Sequence, residues 1–404
     1  MRHLARSVKD VKAASLSLMS EQSRRWASTM SGHPSGEPGI RTAHNPPVSL
    51  AGPYLAGPSL AAPGGSEPPG VFDREAREAE EEWLLAPGAT RSVGAGSRAL
   101  AEVADPWRTC FERDRDRIMH SAAFRRLAGK TQVFIFPADH QRTRLTHALE
   151  VAQVASAISR ACRLNVALTE AIALGHDCGH GPGGHASEEA LSPFLAEGFD
   201  HAVWGADVTA VPLNLCAETL DGIRNHSWSR PSPATPEGEV VALADRVAYC
   251  AHDLEDAVHA RIVTDDELPQ VVAERCGSSR GRQLNVFVTD AVTTTLSSGK
   301  VAISEPIGEA LEALRRFNYE RIYLRRASVE QSAAVVELLR ALVDYYVSHP
   351  TALPSGGELT PDDPSTIRAA VGYVSGMTDR FACTKAIEHF GERAVVLVNA
   401  MKPV

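Results

Sequence analysis

Residues 175–185 read GHDCGHGPGGH, three histidines and an aspartate among five glycines and a proline. The apolar pattern NVALTEAIALGHD runs into them, so His176 and Asp177 occupy the last turn of a helix. Adjacent residues on a regular helix diverge by about 100° and do not share one small ligand. At a helix end the chain is turning, and the glycines beyond let it fold tightly around whatever the two side chains hold. A paired imidazole and carboxylate is metal-ligand chemistry; the plainer alternative is a polar loop with solvated histidines.

An ion needs further donors. TRLTHALEV puts His147 on an amphipathic helix between Leu145 and Leu149, and VALADRVAYCAHDLEDAV puts Asp245 among Val241, Leu243, Ala244 and Val247. A carboxylate in such surroundings is costly unless it is paired or bound to a cation. Taken singly, a core histidine and one half of an ion pair would account for these two; taken with His176 and Asp177, they complete a set of four. Two imidazoles and two carboxylates suit Mn²⁺, Mg²⁺, Fe²⁺ or Ni²⁺ rather than a thiolate-seeking ion. Such an ion lowers the pKa of bound water and screens phosphate charge, as hydrolysis of a phosphate ester requires.

The elements that must position these residues read as helices. FERDRDRIMHSAAFRRL (111–127), TRLTHALEVAQVASAISRAC, NVALTEAIALGHD, GEVVALADRVAYCAHDLEDAVHA and VEQSAAVVELLRALVDYYVSH repeat apolar residues at helical spacing, with Thr143 and Asn165 as N-caps. KTQVFIF (130–136) and GKVAIS (299–304) are the only strand candidates, so the expected class is all-α. Residues 1–72 pass from basic, Ser-rich to Pro/Gly-rich sequence and are expected to be a disordered extension rather than a transit peptide. A catalytic core over 73–270 and a helical C-terminal region over 271–404 packed on it complete the expected organisation.

The 404-residue chain carries a net charge of −9, which disfavours general nucleic-acid binding, and its seven cysteines form no CxxC pair, which argues for a reducing, cytoplasmic setting. No run approaches the roughly 20 apolar residues of a membrane helix. AGKT at 128–131 is not a phosphate-binding P-loop, because the required glycine five residues before Gly129 is Phe124. The cluster Arg113, Arg115, Arg117, Arg125, Arg126 and Lys130 is interleaved with Asp114 and Asp116, as in an ion-paired helix.

H, then HD, then D on successive helices resembles the HD-domain phosphohydrolases. The stretches FERDRDRIMHSAAFRRLAGKTQVF, TRLTHALEV, GHDCGHGPGGHASEEAL, LNLCAETLDGI, ALADRVAYCAHDLEDAV, FNYERIYL and SGMTDRFA are similar to the deoxyguanosinetriphosphate triphosphohydrolase-like branch, over roughly residues 73–395. The resemblance implies an HD-domain helical fold with a helical C-terminal extension. It implies one metal ion held by His147, His176, Asp177 and Asp245, with Mn²⁺ or Mg²⁺ foremost and Fe²⁺, Ni²⁺ or Co²⁺ compatible. The reaction it implies is attack of water on the α-phosphorus of a deoxynucleoside triphosphate such as dGTP, giving deoxynucleoside and inorganic triphosphate. It also implies homo-oligomers, often hexamers.

His185 and Glu188, three apart at the start of HASEEALSPFL, share one face of one helical turn, and by resemblance they are the acid/base unit. His180 resembles a further site histidine that touches the phosphates. Arg144, one turn before His147, is expected on a phosphate oxygen. Tyr249 and Asp253 follow Asp245 at i+4 and i+8 and match positions that face the deoxyribose, as does Gln132. Cys178, Gly181 and Gly183 depart from the family's loop, and GFDHAVWG (198–205) keeps His201 but loses the amide residues that follow it, which bears on base preference or subunit contacts rather than on the metal. The alternatives are an HD phosphohydrolase acting on another nucleotide or phosphate ester, and a nucleotide- or single-strand-binding regulator on the same fold.

Overall fold

The computed structural model describes residues 72–137, 140–354, 359–361 and 363–401, together with the backbone of a two-residue antiparallel ladder, His33–Pro34 with Arg41–Thr42. Apart from that ladder and Phe72, the stretch expected to be disordered lies outside the described residues. Residues 72–404 form one compact unit. Its described residues contain no strand and make α1 (Arg74–Leu84), α2 (Cys110–His120), α3 (Ala122–Arg126), α4 (Arg144–Ala161), α5 (Val166–Gly175), α6 (Ala186–Leu191), α7 (His201–Trp204), α8 (Ala217–Asn225), α9 (Pro236–His259), α10 (Gln270–Arg275), α11 (Arg280–Ser298), α12 (Glu305–Asn318), α13 (Arg326–Ser348), α14 (Pro364–Ser375), α15 (Asp379–Phe390) and α16 (Glu392–Ala400). The unit is all-α.

The helices start where the sequence supplies caps. Asn165 Oδ1 accepts from Leu168 N–H at 3.2 Å ahead of α5, and Thr143 N–H donates to Thr146 Oγ1 at 3.1 Å ahead of α4. The long helix α9 opens on Thr235, whose hydroxyl accepts from Gly238 N–H at 3.1 Å, with Pro236 in the first helical position.

Three apolar clusters hold the unit together. Val151, Val154 and Ile158 of α4 pack with Leu168 and Ile172 of α5 and Val240 and Val247 of α9, and the same cluster runs on past residue 270 to Phe287, Leu311 and Leu314. A second is built on α13, where Leu338, Leu339, Leu342 and Tyr346 meet Leu191 of α6, Val371 and Val374 of α14 and Ala386 of α15. A third, with Ile118, Leu127, Leu174, Leu215 and Ile223, lies between α2, α5 and α8.

Neither strand candidate forms a strand. The apolar residues of 130–136 are divided between cores, Val133 and Phe134 against the first and Ile135 in the second, so their burial needs no partner strand. The segment is tied by one isolated bridge, Thr131 to Thr143. The basic cluster is largely consumed internally: Asp114 is buried on Arg98 at 2.6 Å, Arg113 and Arg117 meet Glu102, Arg115 meets Glu170, and Lys130 is buried.

Candidate active site

Three segments supply the four donors read from the sequence. His147 stands in the first turn of α4, His176 caps α5 with Asp177 following it, and Asp245 lies within α9. Because α4, α5 and α9 share one core, their side chains arrive at one place. His147 Nε2 is 3.0 Å from Asp245 Oδ1 and 3.9 Å from Asp177 Oδ2; His176 Nε2 is 3.5 Å from Asp177 Oδ2 and 3.8 Å from Asp245 Oδ1. Ligands of an ion bound at about 2.1 Å stand about 3.0 Å apart when adjacent and about 4.2 Å apart when opposite, and the four imidazole–carboxylate distances fall in that range. The donor atoms gather in two overlapping sets, His147, His176 and Asp245 in one and His176, Asp177 and His226 in the other, with His176 common to both.

The chemistry of the donors agrees. His176 Nδ1 donates to Ala173 O at 2.6 Å, and its Nε2 is buried and without a hydrogen-bond partner among the described residues. A cation beside the two carboxylates would supply that partner. Burial would raise the Asp177 carboxyl, but the Arg144 guanidinium and the His176 and His180 rings hold it well below the usual carboxylate range. Asp245 is pushed up by burial in the same way, and its bond to His147 and the nearby His176 bring it below that range. Both are ionised at neutral pH.

Arg144, expected on a substrate phosphate, is buried and donates from Nη1 to Asp177 Oδ2 at 2.7 Å, so in this structure it orients a candidate ligand. On the other side of Asp177, His180 Nε2 lies 3.2 Å from Oδ1, and its ring stacks on His201 with centroids 3.6 Å apart. Glu188 accepts from His201 Nδ1 and lies 3.5 Å from His185 Nδ1, so one carboxylate orients two imidazoles. Burial raises Glu188, yet the bonds from His185 and His201 bring its carboxyl below the usual range. His185 itself is exposed.

His201, noted in the sequence without a role, and His226, not singled out at all, join this group. A Cβ on Gly222 would lie 2.4 Å from Ile172 Cδ1, and one on Gly175 would lie 2.6 Å from Ile223 Cδ1, so α5 and α8 cross closely, each seating an isoleucine side chain on a glycine of the other. That crossing puts His226, at the end of α8, 4.9 Å from His176 between ring centroids. Its Nδ1 donates to Ile223 O at 2.8 Å, its Nε2 is 3.3 Å from His201 Nε2, and burial followed by the proximity of His176 lowers its pKa to about 4. Gly179 does the same for α7: a Cβ there would lie 2.0 Å from His201 O, so the α7 backbone rests directly on the turn after Asp177. Nothing local in RNHSW signals this.

The residues expected at the sugar have partners of their own. Tyr249 accepts from Arg315 Nε at 3.1 Å, and burial pushes its hydroxyl pKa up. Asp253 is buried and accepts from Arg142 on one oxygen and from the Tyr323 hydroxyl on the other. Gln132 Oε1 is buried without a hydrogen-bond partner among the described residues. Arg246, next to Asp245 and also not picked out from the sequence, lies 3.6 Å over the Trp228 ring, whose Nε1 donates to Ala242 O at 3.0 Å. No carboxylate pairs with Arg246 among the described residues.

Comparison with known proteins agrees with this arrangement. Residues 144–250 match the HD domain family, and residues 301–387 match the phosphohydrolase-associated domain. A deoxyguanosinetriphosphate triphosphohydrolase-like protein of Caldanaerobacter subterraneus is 41% identical over 324 residues, covering 78% of this chain and 95% of that one. Like-named proteins of Clostridium perfringens strain 13 (41% identity, 72% of this chain and 89% of that one) and Desulfatibacillum aliphaticivorans (38%, 77% and 96%) are similar in the same way. The HD match spans all four candidate metal donors, and with relatives of this identity along most of its length the chain belongs to the deoxyguanosinetriphosphate triphosphohydrolase-like family of HD-domain phosphohydrolases.

Proposed function

We propose that this chain hydrolyses deoxynucleoside triphosphates, dGTP-like in kind, to the deoxynucleoside and inorganic triphosphate. The observation that carries the reading is the approach of His147 and His176 each to both Asp177 and Asp245, at 3.0–3.9 Å, together with the His185–Glu188 pair. The names of the relatives point the same way.

His147, His176, Asp177 and Asp245 would hold a divalent ion, with Mn²⁺ or Mg²⁺ first. When bound, such an ion activates water and screens phosphate charge. Arg144 keeps Asp177 oriented. Glu188 fixes the His185 ring through Nδ1, leaving Nε2 to exchange a proton with the leaving 5′-oxygen or the attacking water. His180 and Arg246 would meet the phosphates, Arg246 because a half-buried guanidinium without a carboxylate partner is stabilised by an incoming anion. Tyr249 would pack where a 2′-hydroxyl would clash, Asp253 would accept from the 3′-hydroxyl in company with Arg142 and Tyr323, and Gln132 would lie near the sugar.

The test is turnover with Mn²⁺ and each of the four deoxynucleoside triphosphates, with products separated by anion exchange. Intact triphosphate beside free deoxynucleoside is the expected result, abolished by chelation. Release of other phosphate products would move the assignment to another HD phosphohydrolase reaction, and binding without turnover would make the chain a regulator.

A further inference from the structure

We propose that Asp379 is a positioning residue that clamps the glycine-rich loop carrying His180 and His185, so that the C-terminal helices set the geometry of the acid/base His185 and of its neighbour His180. The inference rests on the function proposed above for the part those histidines play.

Asp379 opens α15 and is buried. Its Oδ1 accepts from Gly183 N–H at 2.9 Å, and its Oδ2 accepts from Thr131 N–H at 2.9 Å and from the Thr131 hydroxyl at 2.5 Å. Beside it the Lys130 ammonium donates to His180 O and, at 3.0 Å, to Ser375 O. The 130–131 segment is itself fastened to the start of α4, through the Thr131–Thr143 bridge and the bond from Arg144 N–H to Lys130 O at 3.3 Å. One carboxylate and one ammonium therefore join three things: the helix that carries Arg144 and His147, the loop that carries His180 and His185, and the α14–α15 region within the phosphohydrolase-associated match.

Between Cys178 and Ala186 the chain has no helix or sheet to hold it, so its shape depends on such bonds. Gly183 has φ +72°, and a Cβ on it would lie 2.5 Å from Val335 Cγ1, so the loop is pressed between α13 and Asp379. A buried charge is an expensive way to fill space. Burial pushes the Asp379 carboxyl up, and the bonds from the Thr131 hydroxyl and the Gly183 and Thr131 amides, then the Lys130 ammonium, offset part of that cost. What the carboxylate provides, and an apolar residue could not, is acceptance of three hydrogen bonds from two segments, one joined to the start of α4 and the other carrying His180 and His185.

The test uses the full chain with Mn²⁺ bound and compares it with Asp379→Asn and Thr131→Val. An amide at position 379 turns a donor toward Gly183 or Thr131 and releases one side of the clamp, whereas valine at 131 removes a single bond. Hydrogen exchange of the amides of residues 179–185 is expected to rise about tenfold or more in Asp379→Asn and by less in Thr131→Val. The kcat for dGTP is expected to fall about tenfold or more in Asp379→Asn, while KM and Mn²⁺ affinity stay within about threefold. Unchanged loop exchange overturns the proposal, as does faster exchange with undiminished kcat, which would leave Asp379 a structural role alone. Should Asp379→Asn fail to fold, the same two readouts on Thr131→Val decide. Absence of triphosphate release by the unsubstituted chain would instead sink the proposed activity, and loop exchange would still decide whether Asp379 holds the loop.

Discussion

Asp177 faces both halves of the site, with Oδ2 toward Arg144, His147 and His176 and Oδ1 toward His180 and His201. Asp177→Ala is therefore expected to lose bound metal and turnover together, read by elemental analysis and a dGTP assay. His185 is not one of the four donors; Glu188 lies 3.5 Å from its Nδ1, and the His180 and His201 rings meet it edge-on. Its replacement by alanine is expected to leave metal content unchanged and lower kcat by about a hundredfold or more, the scale of a lost general acid or base. Retained turnover in either variant contradicts the assigned role. For Arg246→Ala the expected change is a rise of about tenfold in KM for the triphosphate with metal content unaffected, as follows from losing one charge-assisted contact to an anion.

At the level of elements, the site depends on how closely α5, α7 and α8 approach. Gly179 meets backbone, not a yielding side chain: an added Cβ would fall 2.0 Å from His201 O and 2.4 Å from Gly205 N. Gly179→Ala is accordingly expected to cost about 3 kcal/mol of stability, by urea unfolding, or to displace α7 and with it His201. The helices themselves were legible, since an apolar repeat of 3.6 and a capping residue are local features, and Asn165 caps α5 as its position in the pattern indicates. The stretch 130–136 was not, because a short run of consecutive apolar residues looks alike whether it serves a buried strand or, as here, two separate cores.

For the whole molecule, the charge economy makes the metal-free protein sensitive to acid. Asp177, Asp245 and Glu188 all have folded pKa values below the ordinary carboxylate range. A carboxylate depressed in this way contributes stability that is complete above its unfolded pKa and is lost as pH falls toward the folded value. The stability of the chelated protein is thus expected to decline below about pH 4.5, and the gap between it and Asp245→Asn to narrow as pH drops further, in denaturant titrations at stepped pH. A gap independent of pH would show that Asp245 is not held ionised by its histidine neighbours.

By itself the sequence determined which side chains could bind an ion and which helices carry them. His147, His176, Asp177 and Asp245 were found because each conflicts with its local setting, as a ligand pair at a helix end or a charge in an apolar stripe. Their mutual distances, the capture of Arg144 by Asp177, and the arrival of His201 and His226 were decided only in three dimensions. His226 reaches the site because two glycines let α5 and α8 cross in contact, and Asp379 reaches the loop from 196 residues away. Periodicity and side-chain chemistry are properties of a short window of chain, whereas the completion of a buried polar site depends on which distant segments pack against it.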